Sequence, residues 1–520
     1  MAYIQPNSTI LLLHNIPLEP DYEHTLYTAS ASAQYTAFAS FTKYTLAANT
    51  YQRVNKNTCR VGIVADNLYD CNYMLFQNTN FGSKWFYAFI TKVEYINNEC
   101  TEVEYQLDVM QTYFHDFSLG YCFVEREHSE HDYLGENYID EGIDYGELVY
   151  DGDLDDIDSL NRLAIFIAVA SGQSRGKLVD NTFQGADIYM YALSSAASDE
   201  TLIKNFLSQY TATPEDVLGI WTAPCYGVTV DENFRVTGFR SSKLIKTYAT
   251  LSGTELFGSY TPKNKKLYMY PYNFVEVTNA MGADLKIRYE FSNGFTPRLM
   301  AYWNITQPVE VIARPYGYKG STLDPGGVSN PRWGLFTDSL KISGYGIGCW
   351  SNETWVQQMN SALYNGIMGG LISTIGSPVD TARNYVPPVE NGFSNIFMTL
   401  GKKNMTPHLT YGNANSGGAM AAMGILNFYG GRCRITEQYA RTIDDYFTMY
   451  GYQTNRIKVP NTNSRPHWNY VKTGTCELIS LTTMPADDAE KVKSCFNHGI
   501  TLWKNMNEVG MFNLDNRPTT

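Results

Sequence analysis

The chain has 520 residues, 44% hydrophobic and 18% charged, which excludes a disordered protein and leaves room for roughly three domains. Its net charge of −13 excludes a phosphate-gripping nucleic-acid binder, which needs clustered Lys and Arg, but not a passage with a non-adhesive wall. Aromatic residues reach 14%, with 40 Tyr; these suit half-buried strands and broad contacts with one wet side, so the fold class is mainly β, a β-rich α+β chain of several domains.

Residues 1–125 read as strands and turns. From Val103 to Val109 apolar and polar residues alternate, which wets one face and buries the other. The run from Trp85 to Tyr95 begins apolar on both faces and then alternates, and Asn97-Asn98 supplies the turn of a hairpin between the two. Residues 126–160 are acidic and turn-rich and read as an exposed boundary. A buried strand follows at Leu163 to Ala170, and Ser198 caps a helix running to Tyr210 with Leu202, Ile203, Phe206, Leu207 and Tyr210 on one face. From 220 to 350 the text is strand-like, broken by Gly and Pro. A helix from about Thr436 to Tyr450 carries Ile435, Tyr439, Ile443, Phe447 and Tyr450 on its apolar side and stops at Gly451. Another begins at Pro485, with Asp487 and Asp488 in its first turn, and ends before Gly499.

One stretch departs from this text. Residues 364–376 form a Gly-spaced apolar run, too short for a transmembrane helix, which needs about 20 apolar residues, and too rich in Gly for a core helix. A second small, methionine-bearing run occupies 417–424, with Pro378, Pro387, Pro388 and Pro407 between them. Such a segment is either a loop that changes environment or a Gly-rich loop covered by a neighbouring subunit. Gly366 and Gly370 form a Gly-x-x-x-Gly, which gains meaning only if several copies meet.

The search for chemistry returns no catalytic residues, no metal site and no cofactor. Gly172-Gln173-Ser174-Arg175-Gly176 has the spacing of a nucleophile elbow, but no amphipathic helix or oxyanion loop accompanies it. Asp151, Asp153 and Asp155 open like a calcium loop, but Asp156 stands where Gly is needed and Arg162 where the closing Glu is needed. His128 and His131 lack further ligands and read as surface or interface histidines titrating near neutrality. Gly344-x-Gly346 lacks its third Gly, since Cys349 stands there. The nine Cys form no Cys-x-x-Cys and read as buried free thiols, and Ile10 to Leu13 lacks a basic leader, which together point to synthesis in a reducing cytoplasm.

Many short sequences, in a fixed order, resemble the tail-knob, or distal tail-tube, family of short-tailed salasvirus-type podoviruses. They include Met74-Leu75-Phe76-Gln77-Asn78, the run from Gly82 to Phe89, Asp108-Val109-Met110-Gln111-Thr112, Arg126-Glu127-His128 and Ile139-Asp140-Glu141-Gly142. Tyr145-Gly146, Met269-Tyr270-Pro271-Tyr272, the run from Asn365 to Gly369, Tyr450-Gly451-Tyr452, Asn455-Arg456, Asn469-Tyr470-Val471 and the run from Asn497 to Trp503 complete the series. The resemblance implies a virion protein made in the host cytoplasm: a homohexameric tube whose β-barrel or sandwich wall domains enclose genomic DNA without reading its sequence. It also implies neighbours in the tail, a collar or proximal tail above and a tail tip beyond. A long hydrophobic loop from each copy plugs the far end and, on host contact, leaves it to insert in the host cell membrane for genome ejection.

By position the wall comprises residues 1–125, an inserted 126–340, and 341–364 with 425–520; the plug is 365–424. The residues matched to the plug are Gly366, Ile367, Met368, Gly369, Gly370, Leu371, Ile372, Ile375, Gly376, Phe393, Ile396, Phe397, Met398 and Leu400. The loop is shorter than the family pattern and interrupted by polar text at 378–383 and 401–404, so plugging carries over more directly than membrane insertion. Two other classes stay open: a receptor- or glycan-binding tail protein, and a wall-degrading tail enzyme, for which no carboxylate pair or nucleophile is evident.

Overall fold

The computed structural model describes residues 7–49, 57–79, 82–171, 178–179, 182–183, 187–194, 205–206, 208–210, 216–240, 244–279, 282–306, 309–318, 339–345, 427–479 and 484–515. Two compact units divide the chain. The first takes Met1–Gly146, Leu256–Leu267 and Thr436–Thr520; the second takes Glu147–Glu255 and Tyr268–Ile435.

The first unit is built on a six-stranded antiparallel sheet in the order Thr42–Asn49, Ser8–His14, Cys71–Asn78, Trp85–Asn97, Cys100–Leu107, Thr58–Val61. Successive side chains of a strand point to opposite faces, and here both faces are buried. Leu11, Leu13, Tyr73, Leu75, Tyr87 and Phe89 enter one core, sealed by Phe38 of the Ala31–Ala39 helix. Ile10, Leu12, Met74, Ala88 and Val103 enter the other, with Cys59 and Leu68. Two-sided burial is why the central strands Ser8–His14 and Cys71–Asn78 read as apolar runs, while Cys100–Leu107, next to the edge strand, buries one face and alternates.

A five-stranded sheet, ordered His24–Leu26, Ile500–Trp503, Trp468–Thr475, Cys122–Glu127, Tyr452–Lys458, completes the unit. Its first pair is parallel and the others antiparallel. The helices Val109–Tyr113 and Ala486–His498 close a third core against Val471, Ile500 and Leu502.

The second unit holds a three-stranded sheet (Asp187–Ser194, Leu163–Ser171, Val217–Pro224) and two four-stranded sheets. These run Leu244–Thr247, Arg298–Trp303, Val309–Pro315, Leu340–Tyr345 and Leu148–Asp155, Tyr429–Ile435, Asn273–Thr278, Asp284–Ile287. A separate hairpin joins Val228–Val230 to Val236–Phe239. The strand Leu163–Ser171 lies between two neighbours, so its uniformly apolar text is that of a central strand.

The expected hairpin forms between Trp85–Asn97 and Cys100–Leu107, and the two C-terminal helices are Glu437–Tyr450 and Ala486–His498. Three expectations need correction. The first C-terminal helix is rotated: its buried face is Ala440, Ile443, Asp444, Phe447 and Thr448, while Tyr439 and Tyr450 are exposed. A polar stripe, Asp444 and Thr448, takes the inner side because another segment of the unit hydrogen-bonds to it. The acidic stretch after 126 is not simply a solvated boundary, since the Glu127 and Glu141 side chains are each only 1% exposed. His128 is buried rather than on the surface. The helix expected from Ser198 falls largely outside the described residues, of which Phe206 is buried.

Leu75 is fully enclosed at the centre of the first sheet. Leu75→Ala is expected to cost about 2–5 kcal/mol in urea unfolding followed by tryptophan fluorescence. A cost below about 1 kcal/mol would mean the strand is not packed on both sides.

Candidate functional site

The residues assigned to the plug, in 366–376 and 393–400, lie outside the described residues, as do 172–176 and Cys349. Asp151 is on a strand, ion-paired with Arg432 and Arg434. Among the described residues no three His, Cys, Asp or Glu side chains are grouped to hold a metal ion. What the first unit does bring together are several of the short sequences that carry the resemblance.

Three of them, Arg126-Glu127-His128, Ile139-Asp140-Glu141-Gly142 and Tyr450-Gly451-Tyr452, meet around Glu141. Its carboxylate accepts from the Arg126 guanidinium, from the Lys266 ammonium, and from the Gln453 backbone N–H at 2.9 Å. Each donor comes from a different part of the chain: the Cys122–Glu127 strand, the Leu256–Leu267 return and the Tyr452–Lys458 strand. Arg126 also donates to the Gly451 carbonyl at 2.7 Å. A β-carbon at Gly451, whose φ is 65°, would stand 2.3 Å from the Glu127 carbonyl oxygen, so the Tyr-Gly-Tyr sequence is a close backbone crossing that needs glycine.

A second carboxylate works alike. Asp444 accepts from the Tyr260 hydroxyl, from the backbone N–H of Lys263 at 2.7 Å and Asn264 at 3.0 Å, and from the Asn264 amide at 2.7 Å. Asn264 further donates to Thr448 at 2.9 Å. Tyr452 donates its hydroxyl to Asp132 at 2.7 Å, whose other oxygen accepts from the Lys265 N–H at 3.0 Å. The return segment of the chain is therefore held by carboxylates from two separate stretches. Glu127, beside them, pairs with Lys458 and accepts from the Asn461 N–H at 3.0 Å.

His128 has one possible tautomer. The Tyr470 N–H donates to its Nδ1 at 2.7 Å, so Nε2 carries the proton and donates to the Thr448 carbonyl at 3.1 Å. Burial, then the charge of Arg465, holds its pKa well below the ordinary 6.5. It is a structural connector with both ring nitrogens used.

Another buried carboxylate organises the first sheet. Asp108 caps the Val109–Tyr113 helix by accepting from the Gln111 N–H at 2.9 Å, and it accepts from the Tyr73 hydroxyl at 2.7 Å. Gln111 donates on to Thr25 and the Leu26 carbonyl, and Thr112 bonds the Tyr87 backbone. Burial raises the Asp108 carboxyl to about 6. In the sequence alone Asp108, Gln111 and Thr112 carry no assigned role. A signal was present, since Asp-x-x-Gln at a helix start is an N-cap pattern, but the long-range donors carry no local mark.

Two family models match the chain. Residues 6–118 match the model of the Caudoviral major tail protein N-terminus. Strand-built units, in which the buried ionisable groups described above bond to one another and to the backbone, belong here to a structural protein of the phage tail. Residues 232–343 and 341–517 match the model of the C-terminal domain of the Bacillus phage phi29 tail knob protein gp9, and the chain belongs to that family. It is 25% identical to the tail knob protein gp9 of Bacillus phage PZA and 23% identical to that of Bacillus phage phi29, covering 99% of this chain and 100% of each relative. The tail knob protein gp12 of bacteriophage C1 shares the fold, with a TM-score of 0.61 at 14% identity over 97% of this chain and 98% of that one. The mainly β, multidomain reading holds, and the protein is a tail component of the virion.

Glu141→Gln leaves the buried Lys266, whose amine burial pulls down to about 7, and the partly buried Arg126 without their shared carboxylate, and is expected to cost about 3–5 kcal/mol in urea unfolding. A cost below about 1 kcal/mol would contradict the central place of Glu141. His128 and Asp108 make opposite pH contributions. The unfolded chain protonates His128 near 6.5 and the folded chain does not, so this group weakens the fold below that pH, by up to about 1.4 kcal/mol per pH unit. The folded chain keeps a proton on Asp108 that the unfolded chain releases near 3.8, so its contribution declines as pH rises towards about 6. His128→Gln retains a donor and an acceptor and should shift the stability slope below pH 6.5 by the histidine's share; an unchanged slope in urea titrations contradicts the assignment.

Proposed function

We propose that the chain forms the wall of the tail's DNA conduit as a closed ring of copies, six by resemblance, with residues 365–424 serving as its stopper. Residues 1–125, 126–340, 341–364 and 425–520 make up the wall. The observation that carries the reading is family membership along the whole length: the alignment to the PZA tail knob protein gp9 takes in 99% of this chain and all of the relative.

The physics supports it. A wall must resist the passage of a stiff, charged polymer, and two-sided burial with carboxylates clamping the chain's returns makes a unit that yields only as a whole. Net charge of −13 disfavours adhesion of phosphates if the acids face the passage. Apolar loops bundled in a plug are shielded from water, and several released together satisfy one another's backbone groups in lipid. The alignment to the PZA relative runs over 613 positions against 520 residues here, so the relatives carry insertions that this chain lacks. Plugging and membrane insertion are separate steps of the proposal, and each has its own readout below. The reading calls on no catalysis; among the described residues the buried ionisable groups His128, Asp108, Glu141 and Asp444 are bonded to structural partners.

Deleting residues 366–405 tests the reading by electron microscopy of purified rings and by leakage of phosphatidylglycerol–phosphatidylethanolamine liposomes. Wild type should give closed tubes that release dye once triggered; the deletion should give open tubes that release none. Monomers from both proteins, or closed tubes from the deletion, would overturn the conduit and its stopper. Equal leakage from both would remove only the membrane step.

A further inference from the structure

The second unit contains a pocket that the conduit reading does not use. It lies where the turn of the Val228–Val230/Val236–Phe239 hairpin meets the Asp187–Ser194 strand and the 205–210 segment. Its volume is about 440 Å³, within the roughly 300–1,000 Å³ of pockets that hold small ligands. Tyr191, Phe206, Tyr210 and Phe234 form its walls, and Asn205, Gln209, Glu232 and Asn233 line it from exposed positions.

The pocket is built rather than incidental. Asp231 fixes the hairpin turn, its carboxylate accepting from the N–H groups of Asn233 and Arg235, each at 2.9 Å. The Ala192 N–H donates to the Phe234 carbonyl at 2.9 Å, which ties the turn to the neighbouring strand. The Arg235 guanidinium lies 3.6 Å from the centre of the Tyr189 ring and secures the same junction. Phe234 is held at φ 64°, a conformation disfavoured for a bulky side chain that persists only where surrounding bonds impose it. Tyr191 and Phe206 pack with ring centroids 4.8 Å apart, and Phe206 and Tyr210 at 5.6 Å.

We propose that this pocket binds a neutral oligosaccharide. The C–H faces of a pyranose ring are apolar and pack on aromatic rings, while its neighbouring hydroxyls both donate and accept. Planar amides and carboxylates meet such hydroxyl pairs with two hydrogen bonds each, and Asn205, Gln209, Glu232 and Asn233 supply that set. Among the described lining residues there is no Lys or Arg, which disfavours a phosphorylated or carboxylated sugar and a stacked nucleotide alike. A tail protein that holds sugar in its second unit would contact a host surface glycan. The inference is independent of whether the copies close into a tube.

Saturation-transfer NMR on the full-length protein tests it with N,N′-diacetylchitobiose, cellobiose and lactose as probes and glycerol phosphate as the anionic control. At least one disaccharide should show transfer to its ring C–H protons, and glycerol phosphate none. Phe234→Gly relieves the disfavoured φ and should leave the melting temperature unchanged or raised while weakening binding roughly tenfold. The exposed pair Glu232→Ala with Asn233→Ala should weaken it likewise, without affecting the fold. Absence of transfer to all three disaccharides, binding by both variants equal to wild type, or equal binding of glycerol phosphate would each overturn the proposal.

Discussion

A buried charge must be matched where it sits, because water is no longer there to do it. Glu141 is the point in this protein where that requirement does most to shape the chain. Three donors from three separate segments of the first unit meet on one carboxylate. Hydrophobic burial alone would tolerate sliding of the Leu256–Leu267 return; a set of directed bonds to Glu141, Asp132 and Asp444 does not. The chain can therefore leave the first unit for long excursions without losing the register of its returns.

This explains a feature of the sequence that composition leaves obscure. Arg126-Glu127-His128, Tyr450-Gly451-Tyr452 and Asn469-Tyr470-Val471 look unrelated along the chain, yet they adjoin in the folded unit. His128 bridges the Tyr470 N–H and the Thr448 carbonyl, and Gly451 allows the backbones to cross. Their chemistry is that of joints.

Much of the fold was legible from period and punctuation. The Asn97-Asn98 turn signal and the apolar Leu163 to Ala170 run each specify a local geometry and fall where expected, whereas the alternation from Val103 holds only to Leu107, because Asp108 is a buried cap and Val109 opens a helix. Legibility failed where a polar residue is used inward. Asp444 sits on a helix whose aromatic residues suggested a different inner face, and only the distant Tyr260, Lys263 and Asn264 reveal why it is buried. His128 and Glu141 were obscured for the same reason: pairing across more than a hundred residues leaves no periodic trace. The candidate stopper rests on its Gly-spaced apolar text and on family resemblance. The sugar pocket was hidden because its residues come from three segments, none unusual alone.

Native-state hydrogen exchange read by mass spectrometry tests the central claim most directly, using peptides that cover 256–267, 448–456 and 466–473. The account predicts that the Asn264, Gln453 and Tyr470 amides, bonded to Asp444, Glu141 and His128, are protected together and open only with the sheet core around Leu75. Exchange of the 256–267 peptide well ahead of that core would show that the return is not clamped, and would contradict the account at its foundation.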